Sequence, residues 1–209
     1  WLIGEHMTEP LAAVSKLFLA EGHVGSIVVM TRSAEAGARL KSSLGRALGH
    51  DRVSYLTVDD DALEQSMDEA YALGGPPAAI ISTPFAPIPQ ALFGVAGKDH
   101  LDAAGFAGLV ETNLTHHFRV ARKVSLFKGA RLILVSPDVP VGGTLAQFAM
   151  ANFVKTTLHA FTATLGVENE RLPTAVPVNQ VNLTRRMRSE EPRDAAEQAE
   201  EYQRFAHAV

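Results

Sequence analysis

The chain has 209 residues, 46% of them hydrophobic and 20% charged, with a formal net charge of −4 and no cysteine. That length suits one domain with a substantial core, and the missing cysteines exclude a disulfide framework and every thiolate metal site. No basic arm or stripe marks a nucleic-acid partner, no apolar run approaches bilayer length and no leader opens the chain, so the expected setting is the cytoplasm.

Strand-like and helix-like segments alternate from the start, which predicts an α/β domain with a parallel sheet. Trp1 to Ile3 reads as a first strand ending at Gly4, and a start in mid-strand predicts a piece of a longer, multi-module chain. Pro10 to Ala20 follows as a helix with Leu11, Val14, Leu17 and Phe18 on one stripe. Ser26 to Met30 is a continuous β-branched run, as in a strand covered on both faces. A helix over Ala34 to Leu48, a strand over Val53 to Val58 and a helix with an acidic first turn over Asp61 to Leu73 come next. Ala78 to Ser82 is a fourth strand. Ser82 to Gly97 is the most irregular stretch, with Pro84, Pro87 and Pro89.

Two long helices, Ala103 to Leu126 and Thr144 to Val167, flank a fifth strand at Arg131 to Val135. Val176 to Val181 is a sixth strand and Pro192 to Val209 a last amphipathic helix. Six strands with intervening helices predict one doubly wound, Rossmann-type domain over residues 1–209, with its ligand crevice at the strands' carboxyl ends. In the helix Ala103 to Leu126 the apolar row Phe106, Val110, Leu114, Phe118 and Ala121 is the expected core stripe, opposite Thr112, His116, Arg119 and Lys123. The helix Thr144 to Val167 is apolar or small nearly all round, so it requires cover on two sides.

This order of elements resembles the short-chain dehydrogenase/reductase superfamily, and its motifs can be tested one by one. The glycine-rich turn that admits a cofactor pyrophosphate corresponds here to Gly4-Glu5-His6-Met7-Thr8-Glu9, with one glycine and two carboxylates. Arg32 stands after the second strand, where NADP-preferring relatives place an arginine, and Asp59 where relatives contact adenine. Both also have plain readings, a solvated arginine and a helix N-cap. Ser82-Thr83-Pro84-Phe85 replaces the family's Asn-Asn-Ala-Gly, and Asn179-Gln180-Val181-Asn182-Leu183 replaces its Pro-Gly phrase.

The family's chemistry rests on Asn, Ser, Tyr and Lys: the tyrosine protonates the carbonyl that receives hydride, and the lysine lowers its pKa. Asn113 and, more loosely, Ser136 correspond to the first two. Phe148 and Asn152 stand where Tyr and Lys belong, and neither can do their work. Lys155 is seven residues beyond Phe148, roughly 10 Å along the axis, too far to stand in for Asn152. The expectation is therefore a degenerate site with no catalytic residue and no cofactor bound by this segment.

Longer phrases are more specific. Leu2-Ile-Gly-Glu-His6, the runs Asn113 to Lys123 and Gln147 to Arg171, Leu183-Thr-Arg-Arg186 and Glu190-Glu-Pro-Arg-Asp194 resemble the C-terminal end of the bacterial bifunctional malonyl-CoA reductase family. That resemblance implies a parent enzyme that reduces malonyl-CoA to malonate semialdehyde and then 3-hydroxypropionate with NADPH. It also implies that this segment is a degenerate module accompanying active ones upstream, in a parent that forms homo-oligomers. The implied partners are those modules, docked as a pseudo-dimer through helices 103–126 and 144–167, with neither nucleic acid nor membrane involved. Arg185 and Arg186, after the sixth strand, read as a solvated cluster or as a contact for coenzyme A phosphates. The competing reading is a self-standing reductase with an atypical relay of Asn113, Ser136 and Lys155.

Two remaining patterns take plain readings. His116 and His117, being adjacent, are expected on different helix faces, and with His6, His100 and His159 they show no recurring metal-ligand spacing. The sequons at Asn113 and Asn182 fall inside or beside predicted elements and read as chance.

Overall fold

A computed structural model of the chain describes residues 1–4, 25–83, 102–136, 149–171 and 176–181. The expected helices over Pro10 to Ala20 and Pro192 to Val209 lie outside these residues, as does the proline-rich stretch beyond Thr83. Among the described residues six strands are present: β1 (Leu2–Ile3), β2 (Ile27–Thr31), β3 (Val53–Thr57), β4 (Ala79–Ser82), β5 (Arg131–Val135) and β6 (Val178–Val181). All are parallel in the order β3-β2-β1-β4-β5-β6. That is the Rossmann order, with its switch point between β1 and β4. There Leu2 pairs with Val29 on one side and Ile81 on the other, and Ile3 with Met30 and Ser82.

The helices are α1 (Ala34–Leu48), α2 (Leu63–Gly74), α3 (Ala103–Val110), α4 (His116–Val124) and α5 (Ala149–Asn169). A π-helical segment, Glu111–Thr115, joins α3 to α4. Ser33 starts α1 by accepting a 3.2 Å hydrogen bond from the Ala36 amide, a side-chain cap for an otherwise orphaned donor. Along β2, Ile27 and Val29 pack on one face with Leu40 and Leu44 of α1. Val28 and Met30 pack on the other with Leu63 and Met67 of α2 and Val120 and Val124 of α4. Both faces are therefore covered, which is why the strand sequence shows no alternation. At the strands' amino ends Phe127 closes the core, edge-on to Trp1 and stacked on Tyr71.

The long helix over 103–124 corrects two expectations. Its buried side is Leu109, Asn113, His116, His117, Val120 and Val124. The expected core stripe is instead half open, with Phe106 40% and Phe118 51% exposed. His116 and His117 do not diverge: their ring centroids lie 3.9 Å apart and both side chains are buried. The physical reason is the surface beneath the helix. The carboxyl end of β4 presents Ser82 and Thr83, whose polar atoms can satisfy buried imidazoles, so polar residues face the sheet. The phenylalanines are left to α5 and to solvent: Phe106 pairs with Phe153 at 5.8 Å between centroids, and Phe118 with Phe161 at 6.4 Å.

Helix α5 buries one stripe, Met150, Ala151, Val154 and Leu158, against Leu109 and Leu114. Its other side stays open, with Phe153 41% and Val167 57% exposed. Among the described residues no helix is long and apolar enough to cross a membrane.

Candidate functional site

The crevice at the switch point is built from the residues that follow β1, β2 and β4. Gly4 has φ +134°, and a Cβ there would lie 1.9 Å from Thr83 Oγ1. Only glycine fits so strained and crowded a position. Thr83 in turn is clamped onto β1, its amide donating to the Ile3 carbonyl at 2.7 Å and its hydroxyl to the same oxygen at 3.3 Å. The Gly4 amide donates to the Met30 carbonyl at 3.0 Å. The single glycine retained from the family's turn thus has a task in packing, against Thr83.

Behind Thr83 lies a buried polar cluster. Ser82 Oγ and His117 Nδ1 share a 2.7 Å hydrogen bond, and His116 Nε2 donates to the Thr83 carbonyl at 3.0 Å. Burial pushes His116 from its ordinary 6.5 down to about 3; the Thr112 and Thr83 carbonyls oppose this, and the Arg32 and Arg119 guanidinium groups add to it. Burial, with His116 as a lesser cause, also holds His117 well below 6.5. Both imidazoles are therefore neutral at pH 7. Asn113 sits in the π segment, fully buried, and its amide nitrogen donates to the Leu109 carbonyl at 3.1 Å. Its Oδ1, like His117 Nε2, meets no hydrogen-bond partner among the described residues. π segments recur at functional sites, and this one carries Asn113, the residue expected from the sequence to correspond to the family asparagine.

The other expected site residues are spread around this crevice. Ser136 is buried just past β5, its amide donating to the Val181 carbonyl at 2.9 Å. Asn152 is exposed on α5, and Lys155 is half-buried one turn on, its carbonyl accepting from Gln180 Nε2 at 3.4 Å. Arg32 is half-buried at the head of α1. Asp59 is exposed, and its carboxylate accepts from the Asp61 amide at 3.2 Å, a capping contact at the entry to the turn before α2. Phe148, Arg185, Arg186 and the turn residues beyond Gly4 lie outside the described residues. Sequence reasoning missed the Ser82–Thr83–His116–His117 cluster. Its one legible sign was the pair of polar residues closing an otherwise apolar strand.

Strand order, switch point and crevice define a Rossmann module of the short-chain dehydrogenase/reductase type. No family model matches the chain, and no curated protein does. Solved structures do. A crystal structure of the C-domain of a bacterial malonyl-CoA reductase with NADP is 48% identical, with a TM-score of 0.84, and the match covers 100% of this chain and 31% of that one. The chain is thus a short-chain-dehydrogenase-like module similar along its whole length to part of that C-domain, and it spans about a third (31%) of that relative. Two more distant likenesses show the fold alone. A short-chain dehydrogenase/reductase from Brucella melitensis is 18% identical, covering 88% of this chain and 74% of its own, with TM-score 0.66. An alcohol dehydrogenase from the archaeon Thermococcus sibiricus, complexed with 5-hydroxy-NADP, is 14% identical, covering 99% and 88%, with TM-score 0.69.

Proposed function

We propose that this chain is one module of an NADPH-dependent malonyl-CoA reductase, that it performs no hydride transfer itself, and that it serves by docking on an active dehydrogenase module. The observation that carries this reading is the contrast on α5. Where the family needs a lysine, the helix presents Asn152 to solvent. The same helix and its neighbour expose Phe106, Phe118, Phe153 and Val167, large apolar side chains that a docked module would cover. In this reading residues 1–209 form a single module and bind no cofactor of their own. The parent enzyme binds NADPH, and Arg185 and Arg186 lend charge to the coenzyme A phosphates of the thioester.

Titrating the 209-residue chain with NADPH, followed by cofactor fluorescence, tests the catalytic half. No saturation at micromolar concentration is expected. Micromolar binding with turnover would replace the proposal by a reductase working through Asn113, Ser136 and Lys155. The docking half fails if light scattering finds a monodisperse monomer with no affinity for the active module.

A further inference from the structure

The polar cluster at the carboxyl end of β4 carries two side-chain atoms that its own hydrogen bonds leave over. His117 Nε2 and Asn113 Oδ1 belong to fully buried residues, and neither meets a partner among the described residues, so the two are not bonded to each other. Buried polar atoms are almost always satisfied, because the water they lose on folding has to be replaced by another partner.

The neighbouring bonds fix what each atom can do. Ser82 is buried, and the partner of its hydroxyl among the described residues is His117 Nδ1, at 2.7 Å. A hydroxyl has a single proton to donate, and giving it to Nδ1 makes that nitrogen an acceptor. The imidazole is neutral, since burial holds it well below its usual 6.5, so its own proton resides on Nε2. His117 Nε2 is therefore a donor in need of an acceptor. At the other residue the Asn113 amide nitrogen donates to the Leu109 carbonyl at 3.1 Å, which orients the amide. Its Oδ1 is an acceptor in need of a donor.

The two residues stand four positions apart on the buried side of one helical stretch, Asn113 in the π segment and His117 in the first turn of α4. Side chains at that spacing are neighbours, roughly 5–6 Å apart at Cβ in a regular helix. One small molecule making two hydrogen bonds of about 2.8 Å spans a gap of that order. It has to accept at one end and donate at the other, and it has to be neutral, because an amide and two neutral imidazoles offer no counter-charge. Water meets every one of these conditions.

We propose that this site binds one internal water, which accepts from His117 Nε2 and donates to Asn113 Oδ1. The hydrogen bonds then run one way: the Ser82 hydroxyl donates to His117, His117 to the water, the water to Asn113, and Asn113 to the Leu109 carbonyl. Bonds aligned in this way polarise and strengthen one another. The chain ties the carboxyl end of β4 to the π segment, and the water is the link that holds this irregular turn of the helix onto the sheet.

Joint neutron and X-ray diffraction from deuterium-exchanged crystals of the full-length polypeptide tests the site without any substitution. The expected map has one water within hydrogen-bond distance of both atoms, a deuteron on His117 Nε2 and none on Nδ1. A protein group in that place overturns the proposal. So does an absent peak, a pair of separate waters, a direct bond between the two side chains, or a deuteron on Nδ1 in place of Nε2. An X-ray structure of Asn113→Leu should lose the water peak while the 2.7 Å contact between Ser82 and His117 remains. A peak that stays on His117 without Asn113 would show that the amide does not hold it, and the bridge fails. The unsubstituted crystals decide the question even if that variant does not fold.

Discussion

The two ends of the helical layer are finished differently. At the carboxyl edge of the sheet the described residues are tied to one another. Thr83 is bonded to Ile3 and packed on Gly4, and two neutral histidines are bonded to Ser82 and Thr83. Along the outer side of α3, α4 and α5, by contrast, phenylalanines stand 40 to 51% exposed. The described residues at the first edge bond to one another, whereas the outer helix face leaves large apolar side chains exposed.

The largest effect that could break this comparison lies at Gly4. Gly4→Ala puts a Cβ 1.9 Å from Thr83 Oγ1 on a backbone with φ +134°. Backbone strain and overpacking together are expected to cost about 3 kcal/mol or more in chemical denaturation. Adding Thr83→Ala removes the hydroxyl but leaves the Thr83 carbonyl 2.6 Å from the new carbon, so the double variant should recover only part of the loss. A loss below about 0.5 kcal/mol, the level of an ordinary surface change, would mean that Thr83 does not pack on Gly4 as described.

The buried histidines give the next effect, in pH. Both are held below their ordinary 6.5, His116 to about 3, so between those values the unfolded chain binds more protons than the folded one. Their neutral forms favour folding fully above 6.5, and that contribution is lost as pH falls toward the folded values. Each histidine should add about 1.4 kcal/mol per pH unit to the slope of stability below pH ~6. Denaturation midpoints between pH 7 and pH 5 measure it, and His117→Gln should reduce the slope relative to the parent chain. An unchanged slope would show that His117 is not buried as described.

The sheet was legible in the sequence because its signals are local. Ser26 to Met30 is a continuous β-branched run and Arg131 to Val135 an apolar one, each set between helix-like segments. The reading of Phe148 and Asn152 in place of the family's tyrosine and lysine rests on the sequence alone, since Phe148 lies outside the described residues. What could not be read was which side of the helix over 103–124 faces the sheet. The phenylalanine row outscores a row containing Asn113, His116 and His117 on hydrophobicity alone. The choice was decided by Ser82 and Thr83, more than 30 positions away, which turn buried imidazoles from a penalty into bonded neighbours. The fit of Thr83 over Gly4 is likewise a tertiary fact, since the glycine alone reads as a relic of phosphate binding.

Helix α4 repeats the contrast at a smaller scale. One edge carries a charge ladder to α2 and its approach: Arg119 pairs with Asp61, Arg122 with Glu64, and Lys123 Nζ lies 2.6 Å from Asp68, while Glu111 of the π segment also meets Arg119. The other edge is the aromatic row. Asp68 is 62% exposed although Lys123 is only 14% exposed, so solvent screens the pair and Asp68→Asn should cost less than about 1 kcal/mol. That cost should shrink further in 1 M salt, where the screening length is about 3 Å. Docking through Phe106, Phe118 and Phe153 should be insensitive to the same salt, because burying apolar surface does not depend on screened charge. Measuring the stability of Asp68→Asn and the affinity for the active module across one salt series separates the two edges. Loss of the partner in 1 M salt would place the docking energy on charges and remove the aromatic face from that role.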